Sequence, residues 1–192
     1  TAGFKSGKGS AYEGGTHVPA FWCWKGVLGA GVDTPALAAH IDMYKTFCEL
    51  AGVKIPETVQ EIDGRSLVPV LEDTKVEWPD RHLFVHVGRW EKGADPNLSK
   101  FNKCAVRTAR WRLVGNKELY DISVDPFEKK NVADEHPEVV TELRKAYDQW
   151  WTESLPLMVN ENVPYAKTHP ATEMYEAQLE ESGIPAWVVP RF

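Results

Sequence analysis

Lys8 stands between Gly7 and Gly9 in the stretch SGKGSAYEGGTHVPAFWCW, residues 6–24. A compact ammonium on a backbone that glycines let approach a ligand closely suits a tetrahedral oxyanion such as sulfate or phosphate. The stretch is not a nucleotide-binding P-loop. The pattern G-x-x-x-x-G-K-[ST] needs a glycine where Ala2 stands and a hydroxyl residue where Gly9 stands. Glu13, beside Gly14 and Gly15, is a candidate general base, although a carboxylate in that setting more often accepts backbone N–H bonds and shapes its loop. His82 and His86 fall in a strand-like run, where their spacing gives a shared face without the geometry of a helical His-x-x-x-His metal pair. Arg107, Arg110 and Arg112, with Trp111 among them, read as cations on the open face of a hairpin. No Ser/His/Asp or Cys/His set and no carboxylate cluster suited to a hard cation can be assembled, so no metal ligand is assigned.

These groups need a scaffold, and the chain divides into recognisable elements. Residues 1–17 are rich in Gly and Ser, without a period of 2 or 3.6, and read as a loop. Residues 18–24 are apolar at nearly every position, the pattern of a strand covered on both faces inside an α/β sheet. Asp33-Thr34-Pro35 supplies a cap and a first-turn proline, and Leu37, Ile41, Tyr44 and Cys48 follow at helical spacing until Gly52, predicting a helix of four to five turns. A proline-containing connector with Asp63-Gly64 and a short apolar run at 67–71 leads into four strand candidates, 83–87, 104–108, 111–114 and 118–122, expected as a small antiparallel sheet. His136-Pro137 opens a helix whose Val140, Leu143, Tyr147, Trp150 and Trp151 make one apolar stripe to cover that sheet. The fold class is therefore an α/β portion, residues 1–66, followed by an α+β subdomain, residues 67–153. A proline-punctuated tail, residues 154–192, is expected to wrap over the surface, with a short helix near 172–181.

The 192 residues, 43% hydrophobic with eight tryptophans, suffice for a substantial core. The formal charge of −6 argues against a chain built to neutralise a phosphate backbone, so nucleic acid is excluded as the main partner. No apolar run approaches 18 residues and no signal-like segment is present, so no membrane partner is expected. Cys23, Cys48 and Cys104 are odd in number and widely spaced, which predicts buried free thiols and not a disulfide framework. The chain lacks an initiator methionine and opens directly onto a loop, the expectation for a processed or trimmed piece of something longer.

Five blocks in order resemble the C-terminal part of the type I sulfatases, the arylsulfatase family of the alkaline phosphatase superfamily. GKGSAYEGGTHVPAFW is similar to the family's G-K-G-[ST]-x-x-E-G-G-x-[RH]-V-P segment, and HIDMYKTFCELAGV to its H-x-D helix, with Lys45 in place of the usual proline. IDGRSLVPVL, CAVRTARWRLV and ELYDISVDPFEKKNVADEHPEVV resemble the three blocks that follow, and together the five cover residues 3 to about 150. The resemblance implies hydrolysis of sulfate esters by a formylglycine hydrate, made from Cys or Ser in a C/S-x-P-x-R motif, beside a calcium ion held by Asp and Asn residues. Neither that motif nor those ligands occur here, and the family keeps them upstream.

What the resemblance carries onto this chain is Lys8, as the lysine that contacts the sulfate. His17, at a position often filled by Arg, is a substrate-binding candidate. His86, Arg89 and Trp90 are candidates for recognising the group that bears the sulfate, a sugar or an aryl group, with Trp90 suited to stacking on a ring and Arg89 to binding an anionic or hydroxyl substituent. The expected partners are a sulfated small molecule or sugar, and either the missing N-terminal catalytic part or a second copy paired through the exposed strand at 18–24. A periplasmic, extracellular or lysosomal setting follows from the same resemblance. Alone, a chain without nucleophile or metal is expected to be inactive. The alternatives are a non-catalytic binding or assembly module, or a phosphoesterase of the same superfamily.

Overall fold

The computed structural model describes residues 2–59, 61–87, 90, 93–158 and 168–183. Four antiparallel strands, β1 (Leu83–His86), β2 (Cys104–Arg107), β3 (Trp111–Val114) and β4 (Glu118–Asp121), form one sheet in the order β1-β2-β3-β4. They lie within a residue of the runs predicted from their apolar residues and intervening turns. The register lines up Phe84, Val106, Leu113 and Leu119 as one row across the sheet, and Val85, Ala105, Val114 and Glu118 as the next. Neighbouring residues on a strand point to opposite faces, so these rows belong to different sides of the sheet.

On the first side lies α4 (Pro137–Ser154), begun by the proline at its N-terminus as expected. Val140, Leu143, Tyr147 and Trp151 recur at three- and four-residue steps and are buried against Cys104, Val106, Leu113 and Leu119. Fully burying a side chain of this size is worth about 1.5–3 kcal/mol, so this layer dominates the stability of the subdomain.

A second, smaller unit precedes the sheet. The turn His40–Asp42 runs into α2 (Met43–Leu50), and α3 (Val68–Glu72) packs beside it. Asp42, fully buried, organises this unit. Its carboxylate accepts Arg81 Nη1 at 2.7 Å and Nη2 at 2.5 Å, the Ala39 N–H at 2.7 Å and the Arg65 N–H at 2.9 Å. The Thr46 hydroxyl donates to the Asp42 carbonyl and accepts from the Leu67 N–H, tying α2 to the start of α3. Gly64 passes so near that a Cβ there would sit 2.0 Å from the Ile41 carbonyl oxygen. Because Arg81 lies two residues before β1, the Asp42 pair also joins this unit to the sheet.

Three expectations are corrected. Residues 18–24 form no strand: among the described residues no strand pairs with them, and Phe21 is 93% exposed. A strand of this apolar type needs ladder partners and cover on both faces, and the described sheet runs from β1 to β4 without it. The helix predicted from Asp33 begins only at the His40 turn. The residues before it lack the packing that a short helix needs, and a local capping signal does not replace that packing. Of the three cysteines, none of them in a disulfide, Cys104 is buried and Cys48 half-buried, whereas Cys23 is exposed because its host segment is uncovered. The late helix, α5 (Pro170–Ser182), is longer than predicted and exposed along nearly its whole length.

Candidate functional site

The second side of the sheet is covered by the loop that carries Lys8. Two hydrogen bonds shape it. The Gly14 N–H donates to the Lys5 carbonyl at 2.9 Å, closing the base, and the Ser10 N–H donates to the Gly7 carbonyl at 3.1 Å, closing a turn at the tip. Gly9, third in that turn, has φ +82°, the demand that a type II turn makes at this position. Gly14 and Gly15 are needed for a different reason. A Cβ on Gly14 would lie 2.4 Å from the Lys5 carbonyl oxygen, and one on Gly15 2.3 Å from that of Ser10. The fold of the loop on itself leaves no room for a side chain there. A single helical turn, α1 (Glu13–Thr16), follows.

Both legs of the loop are bonded to the sheet. On the incoming leg, Lys5 Nζ donates to the Tyr120 hydroxyl at 2.6 Å and to Glu118 at 3.3 Å, and it sits over the rings of Tyr12 and Tyr120. On the outgoing leg, Ala11 is buried against Ala105, Val114 and Tyr120. There the guanidinium of Arg112, on β3, reaches three residues of the loop. It donates to Glu13 Oε1 from Nε at 3.0 Å and from Nη2 at 2.5 Å, to the Ala11 carbonyl from Nη1 at 2.6 Å, and to Thr16 Oγ1 from Nη2 at 3.0 Å. Arg107 Nε adds a bond to Glu13 at 3.1 Å, and His17 Nδ1 lies 2.8 Å from its other oxygen. The Glu13 N–H in turn donates to Glu128 Oε2 at 2.9 Å.

The electrostatics follow from burial. Burial alone would raise the Glu13 carboxyl, but the guanidiniums of Arg112 and Arg107 and the bond to His17 hold it below the usual carboxylate range. Burial lowers the Arg112 guanidinium, opposed by Glu13. Glu128 is the exception. Burial pushes its carboxyl up, one oxygen has no hydrogen bond among the described residues, and Arg112 Nε stands 3.6 Å from that oxygen. Removing one member of the close buried Glu13–Arg112 pair alone costs about 3–5 kcal/mol, because the survivor is left uncompensated. Glu13 is therefore an acceptor that fixes the loop, and its lone pairs are occupied by three cationic or imidazole donors.

Lys8 itself occupies the second position of the tip turn, exposed, and among the described residues no group bonds its ammonium. His17 lies at the end of the same loop, its ring stacked on Phe4 at 4.6 Å and its exposed edge free to face solvent. His86 and Trp90 are placed elsewhere, against the α4 side. His86 Nε2 lies 2.9 Å from the Ser99 carbonyl and its ring is edge-on to Trp151 at 5.0 Å. Trp90 meets Trp151 edge-on at 6.4 Å. The structure thus groups Lys8 with His17 and His86 with Trp90, while Arg89 lies outside the described residues.

Sequence reasoning missed the anchors. Arg112 was expected on an open hairpin face and is instead 3% exposed, because the Lys8 loop covers that face. The one available signal was register: residues 107 and 112 flank a tight turn and so come to lie opposite each other on the same face. Their acidic partner Glu13, 94 and 99 positions away, leaves no periodic trace.

Residues 6–152 match the family model described as N-sulphoglucosamine sulphohydrolase, C-terminal. Arylsulfatase K of Rattus norvegicus is 30% identical over 150 residues, covering 71% of this chain and 24% of that protein. The uncharacterized sulfatase YdeN of Escherichia coli (strain K12) is 30% identical over 183 residues, covering 79% of this chain and 32% of that protein. Among solved structures, Ps i-CgsB in complex with k-i-k-neocarrahexaose superposes with a TM-score of 0.62 at 27% identity, covering 93% of this chain and 36% of that one. The chain spans about a quarter to a third of the length of the curated relatives it matches.

Proposed function

From the premise that the chain belongs to the sulfatase family as a C-terminal portion, we propose that it completes the active site of an enzyme that hydrolyses sulfate esters, with Lys8 as its contribution to the sulfate pocket. The observation that carries this reading is the Lys8 turn: an ammonium without a partner among the described residues, at the tip of a loop whose two legs are both bonded to the sheet. A cation carried on a backbone turn that is fixed in place offsets the charge of the sulfate and the charge developing on the leaving oxygen. His17, on the same loop, stands on the substrate side of the proposal.

Recognition of the sulfate-bearing group is assigned to the end of β1 and the segment after it. There Trp90 and His86, backed by Trp151, offer an aromatic ledge, and Arg89 belongs to the same stretch. A sugar suits such a ledge, and the relative of similar fold solved with the carbohydrate k-i-k-neocarrahexaose supports that class.

The residues of this chain do not fit the calcium and formylglycine centre of the family. The sequence holds no C/S-x-P-x-R motif, and among the described residues no three His, Cys, Asp or Glu side chains come together as metal ligands would. No step is therefore assigned to either group here. The nucleophile and the metal belong, in this proposal, to the remainder of the enzyme. That remainder would cover the apolar side chains left open at Phe21, Val27, Phe47 and Val53. The setting proposed is periplasmic, extracellular or lysosomal.

Two measurements test the proposal. The purified chain, given an aryl sulfate and calcium, shows no turnover, and turnover above background would sink the division of labour. In the complete enzyme, Lys8→Ala lowers kcat/KM by about 10²–10³, the effect of removing one preorganised charge-stabilising donor. An unchanged kcat/KM removes the assignment.

A further inference from the structure

We infer that Arg112 is a positioning residue for the reaction, acting on the sulfate through Lys8, so that the small sheet sets the site of the catalytic charge. The inference rests on the reading of Lys8 given above and extends it to a residue that never faces the substrate.

The structural case is the distribution of one guanidinium over one loop. Arg112 uses Nε, Nη1 and Nη2, and all of their bonds within normal hydrogen-bond distance go to residues 11–16: the Glu13 carboxylate, the Ala11 carbonyl and the Thr16 hydroxyl. A fork of fixed donors holds its acceptors in a fixed mutual arrangement, which a flexible ammonium at the same place cannot reproduce. The arrangement is passed to the tip. Ala11 is three residues from Lys8, the Thr16 hydroxyl donates back to the Tyr12 carbonyl, and Gly15 is pressed against the Gly7 and Ser10 carbonyls on either side of Lys8. Lys5 fixes the other leg, so displacement of residues 11–16 must be taken up in the Lys8–Gly9 turn. Displacing a reacting or binding group by about 1 Å can cost about 10²-fold in rate, so a small shift of this loop is enough to register.

The neighbouring charges are accounted for on every side. Arg107 and His17 bond Glu13, Glu128 stands behind Arg112, and Glu118 belongs to the Lys5 anchor. Tyr12 also donates to Glu118 and Arg107 to Glu13, but Arg112 alone bonds three residues of the outgoing leg, Ala11, Glu13 and Thr16.

The test is a double-substitution cycle in the complete enzyme with a nitrophenyl sulfate as substrate, using Arg112→Lys, which keeps the charge opposite Glu13 and removes the fork. The expected result is a loss of about 10- to 100-fold in kcat/KM for Arg112→Lys, with no further loss when it is added to Lys8→Ala. Val140→Ala, in the layer on the opposite face, serves as the control: it lowers the melting temperature and leaves kcat/KM unchanged. If Lys8→Ala is damaging but Arg112→Lys has no effect, or multiplies with it, the positioning role is overturned and the function of Lys8 stands. If Lys8→Ala has no effect, the reading of Lys8 falls and this inference falls with it. Should Arg112→Lys not fold, Thr16→Val removes a single bond of the fork, and the same cycle decides on a smaller loss.

Discussion

Replacing Asp42 by Asn should unfold the link between the first unit and the sheet, although the two side chains differ by little in shape. Both carboxylate oxygens are committed, Oδ1 to Arg81 Nη1 and the Arg65 N–H, Oδ2 to Arg81 Nη2 and the Ala39 N–H. An amide turns one oxygen into an NH₂ facing two donors, and it leaves the buried guanidinium of Arg81 without a counter-charge. Breaking a buried pair in this way costs about 3–5 kcal/mol, out of a total that for most domains is about 5–15 kcal/mol. With a urea m-value of roughly 2 kcal/mol/M, the midpoint should fall by about 1.5–2.5 M. Trp78 reports directly, since its indole N–H donates to the Leu37 carbonyl at 3.1 Å and its ring lies beside Arg65. Tryptophan fluorescence through a urea titration therefore includes one reporter at the site of the change among the chain's eight tryptophans. The carboxyl is also held below its usual range: burial opposes ionisation, but Arg81 and the two backbone N–H groups outweigh it. A lowered folded-state value means stability present above the unfolded carboxyl range and lost as pH falls through the folded value, so Asp42→Asn should converge on the parent in strong acid. A loss below about 1 kcal/mol at neutral pH, or additivity of Asp42→Asn with Arg81→Met, would refute the reasoning.

Two further outcomes follow from the same geometry. Glu128 has a raised carboxyl, so its contribution is fully present below the unfolded value and is lost as pH rises through the folded one. Glu128→Gln should therefore gain stability relative to the parent as pH rises toward neutrality, with the difference vanishing in acid, as pH-dependent urea midpoints would show. Gly64→Ala forces a Cβ to 2.0 Å from the Ile41 oxygen and should cost about 3 kcal/mol or more, whereas Gly9→Ala, with open space and only φ +82° to strain it, should cost about 1–2 kcal/mol. Equal midpoint shifts for the two would contradict the distinction between crowding and backbone strain.

The sheet and α4 were legible in the sequence because their signals are local: short apolar runs between turns, and a stripe of Val140, Leu143, Tyr147 and Trp151 after a starting proline. Residues 18–24 were misread because an apolar run records only the wish to be covered, and the covering elements are not among the described residues. The helix expected from Asp33 shows the same limit, since a cap signal without a buried face does not hold a helix together. At the candidate site, Lys8 and its glycines stood out by type and spacing. The partners that hold the loop did not: Glu13 and Arg112, or Lys5 and Glu118, meet across 99 and 113 positions, and no pattern along a chain encodes such a pairing.

That separation has a consequence in time. During synthesis at about 5–20 residues per second, Glu13 is joined to the chain roughly 5–20 s before Arg112 exists to receive it. Contacts between residues so distant carry the larger loop-closure cost, so the Lys8 loop, whose own turn is local, is expected to seat on the sheet after the β2–β3 hairpin closes. The ammonium comes late to a finished floor, and any defect that slows that hairpin delays the one charge this chain is proposed to lend.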